Sequence, residues 1–160
     1  MATTDSRSAK VTLPSDTQIL IEREFDAAPR LVYRAYTEPD LVRRWWTAGR
    51  GEMTVAEIDL RVGGRWRYAM STPDGAEVAF HGEYREIVPG ERIVSTEVYE
   101  AVPDAAALDT VTFEERDGGT LLTILVEHQR KEHRDAHVES GMEDGLQDAL
   151  DLLERAAGEL

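Results

Sequence analysis

Several side chains able to hold or act on a small molecule recur here at strand spacing. Trp66, Tyr68 and Met70 alternate along one stretch, and Phe80 and Tyr84 share a face of the next. If both faces turn inward, they form an apolar wall with two phenol hydroxyls as polar handles, which is the make-up of a ligand pocket. The same residues could instead simply fill a core. Ser95 and Glu97 alternate with Val94, Thr96 and Val98. A hydroxyl and a carboxylate therefore face inward beside Tyr99 or outward, and the local pattern permits both.

Other polar residues offer less. Glu57 and Asp59 share a face opposite Ala56, Ile58 and Leu60. Burial of the apolar set leaves the carboxylates to solvent or to Arg65 and Arg67, a surface pairing worth little energy. A general acid would need a carboxyl in an apolar site that raises its pKa. Imidazole is the usual acid or base near neutral pH, but His81 points away from any pocket that Phe80 faces, and no motif gives His128 a serine or cysteine partner. Both are expected to be ordinary solvated or hydrogen-bonded histidines. His133 and His137 could supply two metal ligands from one helical turn, yet the intervening Arg134-Asp135-Ala136 lacks the glutamate of a zincin motif, and two ligands do not complete a site. Phosphate-binding loops, dinucleotide fingerprints and nucleophile elbows are missing too. No catalytic residue, metal or cofactor is assigned.

The elements that must position these residues follow from periodicity. Gln18 to Phe25 reads as a half-buried strand. Pro29 then starts a short helix with Val32, Ala35 and Tyr36 on its apolar face, and Glu38-Pro39 divides it from a second short helix carrying Leu41, Val42, Trp45 and Trp46. Six strand candidates follow, at Thr54 to Leu60, Arg65 to Ser71, Glu77 to Ile87, Arg92 to Glu100, Asp109 to Glu115 and Thr120 to His128. Turn residues such as Gly63-Gly64, Pro73-Asp74-Gly75, Pro89-Gly90 and Asp117-Gly118-Gly119 separate several of them and imply antiparallel neighbours. Ala101 to Leu108 is a loop or a short helical turn. Beyond the charged, helix-compatible stretch Arg130 to Ser140, Gly141 marks a break. Met142, Leu146, Ala149, Leu150, Leu153 and Ala157 then form one helical stripe. The expected fold is α+β, with a seven-stranded antiparallel sheet covered by one long C-terminal helix. A twisted sheet cannot meet a single cylinder everywhere, so a cavity remains unless bulky side chains fill it. Met142 and Leu146 should face its wide end, while Leu150, Leu153 and Ala157 pack tightly.

The 160 residues suit one domain, expected over 17–160 behind a flexible polar leader at 1–16. There is no cysteine, which fits a reducing, cytoplasmic setting. The 18 Lys and Arg against 32 Asp and Glu give a net charge of -14, which opposes approach to nucleic acid or anionic membranes. No run approaches the length of a membrane span. Monomer and homodimer are both compatible with the sequence.

Several ordered segments resemble the family of activator of heat-shock-protein ATPase homologues, within the START-like (SRPBCC) superfamily. They are Phe25-Asp26-Ala27-Ala28-Pro29, Val32-Tyr33-Arg34-Ala35-Tyr36-Thr37, Arg44-Trp45-Trp46, Gly63-Gly64-Arg65-Trp66-Arg67-Tyr68, Pro73-Asp74-Gly75, Gly82-Glu83-Tyr84-Arg85-Glu86-Ile87-Val88-Pro89 and Ser140-Gly141-Met142-Glu143-Asp144-Gly145. The resemblance implies a helix-grip architecture whose sheet wraps the C-terminal helix, with the two short helices closing one end of a pocket. It puts Trp45 and Trp46 at the mouth and adds them, with Tyr36, to a cavity lining of Trp66, Tyr68, Met70, Phe80, Tyr84, Met142 and Leu146. Fold alone does not settle function. The leading expectation is binding of a hydrophobic or amphipathic small molecule without catalysis. One alternative is a co-chaperone module acting on a heat-shock chaperone ATPase; another is a cyclase- or hydrolase-like enzyme using the same cavity.

Overall fold

The computed structural model of the chain describes residues 8–160. Its elements run β1 (Lys10–Thr12), β2 (Gln18–Phe25), α1 (Pro29–Thr37), α2 (Pro39–Val42), β3 (Glu52–Ile58), β4 (Arg65–Ser71), β5 (Glu77–Val88), β6 (Arg92–Tyr99), β7 (Ala107–Arg116), β8 (Gly119–Glu127), α3 (Lys131–Glu139) and α4 (Met142–Gly158). The strands form one antiparallel sheet in the order β1-β2-β8-β7-β6-β5-β4-β3. Short turns link each strand from β3 to β6 to the next, and the chain closes by laying β8 beside β2. This is the expected α+β helix-grip arrangement, with α4 held against the concave face. None of the helices among the described residues is long and apolar enough to cross a bilayer.

The sheet has eight strands where the sequence suggests seven. The addition is β1, which lies inside the segment expected as a leader and pairs with β2 through Val11 opposite Ile21. The same segment is tied to α4, because the Ala9 amide donates to Gln147 Oε1 at 2.9 Å and Gln147 Nε2 donates back to the Ala9 carbonyl at 2.8 Å. The part of the leader expectation that covers residues 1–7 lies outside the described residues. A second difference concerns Leu60. It falls beyond the end of β3 and is 38% exposed, so it does not share the burial expected for it with Ala56 and Ile58.

Alternation fixes which face of each strand meets α4. Ile19, Ile21 and Phe25 of β2, Val111 and Phe113 of β7 and Leu122, Ile124 and Val126 of β8 join Leu150, Leu153, Ala156 and Ala157 of α4 in one core. Arg23 shares that frame, and its buried guanidinium reaches Asp151 at 2.8 Å and Glu154 at 2.7 Å on α4. Pro29 opens α1, and Val32 and Ala35 on its inner face are fully buried. Gly141 adopts φ +85°, a left-handed conformation that suits glycine, and there the chain turns from α3 into α4.

Candidate functional site

Two cavities lie near the start of α4, one beneath its first turns and one beside α3. One of about 280 Å³ is bounded by the concave faces of β4 to β8, the end of α1, the Trp45-Trp46 corner and the helix residues Met142, Gly145 and Leu146. The other, of about 490 Å³, lies toward α3 between Phe80, Tyr99, Val102, His128 and Ala136. They share Glu97, His137 and Met142. Of the ten residues expected to line a cavity, Tyr36, Trp45, Trp46, Trp66, Tyr68, Tyr84, Met142 and Leu146 come together around the first space. Phe80 and Met142 face the second. Met70 lines neither, because it sits opposite Met53 near the end of β4, one register step from the Ser71 carbonyl that crowds Gly51.

The aromatic residues are fixed by specific contacts. Trp66 lies opposite Gly82 and donates from Nε1 to the Thr96 carbonyl at 3.2 Å. A side chain at 82 would collide with that carbonyl oxygen and come within 2.5 Å of Trp66 Nε1, so the indole can cross to β6 only because residue 82 is glycine. Adjacent Trp45 and Trp46 divide their tasks. Trp45 is buried and donates to the Ala35 carbonyl at 2.9 Å, which locks the corner to α1. Trp46 is half-buried, lines the first cavity and meets Tyr68 and Phe80 edge-on at 5.5 and 5.8 Å. Tyr36 packs on Trp45 at 5.3 Å.

The polar groups are few and concentrated. Pairing of Ser95 with Asp109 and of Ile93 with Val111 turns Ser95 and Glu97 inward, the facing that local alternation left open. Asp109 sits in the same frame as buried Ala107, Val111 and Phe113. Sequence reasoning missed it. The available signal was a lone carboxyl in register with an otherwise apolar strand face. Burial pushes the Asp109 carboxyl well above the usual carboxylate range, and the charge and hydrogen bonding of Glu97 add to the effect, which favours the neutral acid. Asp109 Oδ1 is buried with no hydrogen-bond partner. Burial likewise raises the Tyr36 hydroxyl, reinforced by Asp109 and Glu97, and it raises those of Tyr68 and Tyr84.

Histidines border the second cavity. His128 Nε2 and His137 Nδ1 are 3.0 Å apart, so α3 is joined to the end of β8 by an imidazole pair. Burial, then the neighbouring His137, lower the His128 pKa to about 4, and burial lowers that of His137 as well. Both are neutral rings near neutral pH. His137 thus partners His128 rather than His133, and no group of three or more potential metal ligands occurs among the described residues. His81 points outward, as expected, and meets Glu100 at 2.9 Å. Glu57 and Asp59 are exposed; Asp59 pairs with Arg61, while Arg67 binds Glu100.

The profile of the family described as Activator of Hsp90 ATPase homolog 1-like protein matches residues 26–158. None of the curated proteins matches the chain. Among solved structures, a protein of Rhodobacter sphaeroides superposes with a TM-score of 0.88 at 26% identity, over 95% of this chain and 99% of that one. A protein of Chromobacterium violaceum gives 0.78 at 29% identity, over 89% and 98%. An AHSA1-like protein of Aeromonas hydrophila gives 0.70 at 25% identity, over 89% and 92%. With the profile spanning most of its length and the same architecture recurring in those structures, the chain belongs to the Activator of Hsp90 ATPase homolog 1-like family.

Proposed function

We propose that the protein binds a hydrophobic or amphipathic small molecule between the concave face of its sheet and the first turns of α4. The observation that carries this reading is the contrast along α4. From Leu153 to Ala157 its inner face is packed solid, while Met142, Gly145, Leu146 and Leu150 line the cavity of about 280 Å³ and Met142 also borders the one of about 490 Å³. Aromatic walls with a few convergent polar groups are the usual construction of a ligand site. Binding requires no covalent step, and the cytoplasm remains its proposed setting. Native mass spectrometry and solvent extraction after mild purification test the idea: a mass adduct that dissociates on denaturation supports it. Persistent absence of any adduct, with the same cavities closed in a crystal, counts against it.

One observation favours a second reading, in which the cavity also performs acid catalysis. Asp109 is a carboxyl kept toward its neutral form in an apolar space, the condition that acid chemistry of a cyclase or hydrolase type imposes. Turnover of a bound molecule that disappears in Asp109→Asn while binding persists supports it. Co-chaperone activity rests on the family description alone. It predicts a changed hydrolysis rate when the host's Hsp90 is saturated with this protein, and an unchanged rate removes it.

A further inference from the structure

The polar groups at the junction of the two cavities point to the chemistry of the ligand. Glu97 borders both spaces, and Asp109 lies beside it on the neighbouring strand. Neither cavity has a lysine or arginine in its lining. The nearest buried cation, Arg134 of α3, is engaged elsewhere, with Nη1 on the Ser15 carbonyl at 2.7 Å and Nε on Asp135 at 2.9 Å. The other titratable groups lining the two cavities are Tyr36 from α1, Tyr68 and Tyr84 from β4 and β5, Tyr99 from β6, His128 from β8 and His133 and His137 from α3. The tyrosines supply no positive charge, and burial holds His128 and His137 toward their neutral forms, while His133 borders only the second cavity. Asp109 Oδ1 adds a buried acceptor with no partner.

Two carboxyl groups side by side in a cavity without a compensating cation are costly to ionise together, and buried polar groups left unpaired call for an explanation. We infer that the ligand is a hydrophobic amine, whose protonated nitrogen sits on Glu97 and Asp109 while its apolar body lies among Trp46, Trp66, Tyr68 and Leu146. An ammonium group supplies both the missing charge and the missing donors. The aromatic faces beside it add cation–π attraction. A fatty acid or phosphate ester meets the opposite situation, since its anionic head would approach carboxyls with no basic residue to receive it. The net charge of -14 steers ligands in the same sense. This assignment rests on the cavity being a ligand site.

The test is calorimetric titration with three probes of one shape: 1-naphthylmethylamine, 1-naphthylmethanol and 1-naphthoate, at pH 7.5 and physiological salt. The expected result is that the amine binds at least tenfold more tightly than the alcohol, and the carboxylate most weakly. In the double variant Glu97→Gln/Asp109→Asn the amine loses that advantage, while the alcohol stays within about threefold of its original affinity, which also reports an intact cavity. If the alcohol binds and the amine gains nothing over it, the amine assignment fails and the cavity reading stands. An advantage that survives in the double variant comes from overall charge and likewise overturns the assignment. Failure of all three probes to bind removes both.

Discussion

The two halves of α4 face the same sheet under opposite conditions. Toward the C-terminus, Leu153, Ala156 and Ala157 are fully buried and line neither cavity, and the buried charge of Arg23 is met by two carboxylates of the helix itself. Toward the N-terminus, Met142 and Leu146 are half-buried over open space, and the carboxyl beneath them lacks a cationic partner. One half has its volume filled and its charges paired; the other has neither. Stability is concentrated where the packing is complete, and the end with room and unsatisfied chemistry is the one suited to bind.

Substitutions should break this contrast in a graded way. The largest effect is expected from Leu153→Ala, which opens a cavity in filled core and should cost about 2–5 kcal/mol in urea unfolding. Leu146→Ala, over existing space, should cost less than about 1 kcal/mol, so equal losses at the two positions would erase the distinction. Next comes Glu154→Ala. It leaves the Arg23 guanidinium with Asp151 alone, a largely exposed partner, and should cost about 2–3 kcal/mol. At the open end the sign reverses. Asp109 has its folded-state pKa raised above the unfolded value of about 3.9, so its contribution is fully present below that pH and is lost as pH rises. Asp109→Asn should therefore stabilise the protein at pH 7 and leave it little changed near pH 3.5, as read by urea unfolding at the two pH values.

The smaller of the two pH-dependent effects is expected at the imidazole pair. His128 titrates in the fold at about 4, below the ordinary 6.5 or so, and thus contributes stability above about pH 6.5 that is lost as pH falls toward 4. Because the ring is partly solvated, the loss should amount to only about 1 kcal/mol. Melting temperatures of the wild type and His128→Gln across that window should converge at low pH. Parallel curves would mean that His128 carries none of the dependence.

Much of the fold is legible in the sequence because it depends on long-range periodicity. The strands from β2 to β8 and the α4 stripe show it, as does the Gly141 break. β1 escapes because three residues are too few to display alternation, and its pairing with β2 is visible only in three dimensions. Arg23 falls at the same two-residue period as Ile19, Ile21 and Phe25 and shares their buried face, where α4 carries carboxylates to receive it. The aromatic wall of the site is readable from Trp66, Tyr68 and Tyr84. Its acidic corner is less so. The facing of Glu97 is settled by the partner strand, and Asp109 emerges only once Ser95 is seen opposite it. Met70 is misjudged for a related reason: sharing a strand face with Tyr68 does not place it along the strand where the helix leaves room.

The most direct test of usable space under the first half of α4 is saturable binding of Nile red, a neutral apolar dye, to the wild type and to Leu146→Trp. The account predicts a blue-shifted emission that saturates near one dye per chain for the wild type. In Leu146→Trp, where an indole occupies the space, affinity should fall at least tenfold with no loss of melting temperature. No saturable binding by the wild type, or equal binding by both proteins, would contradict it.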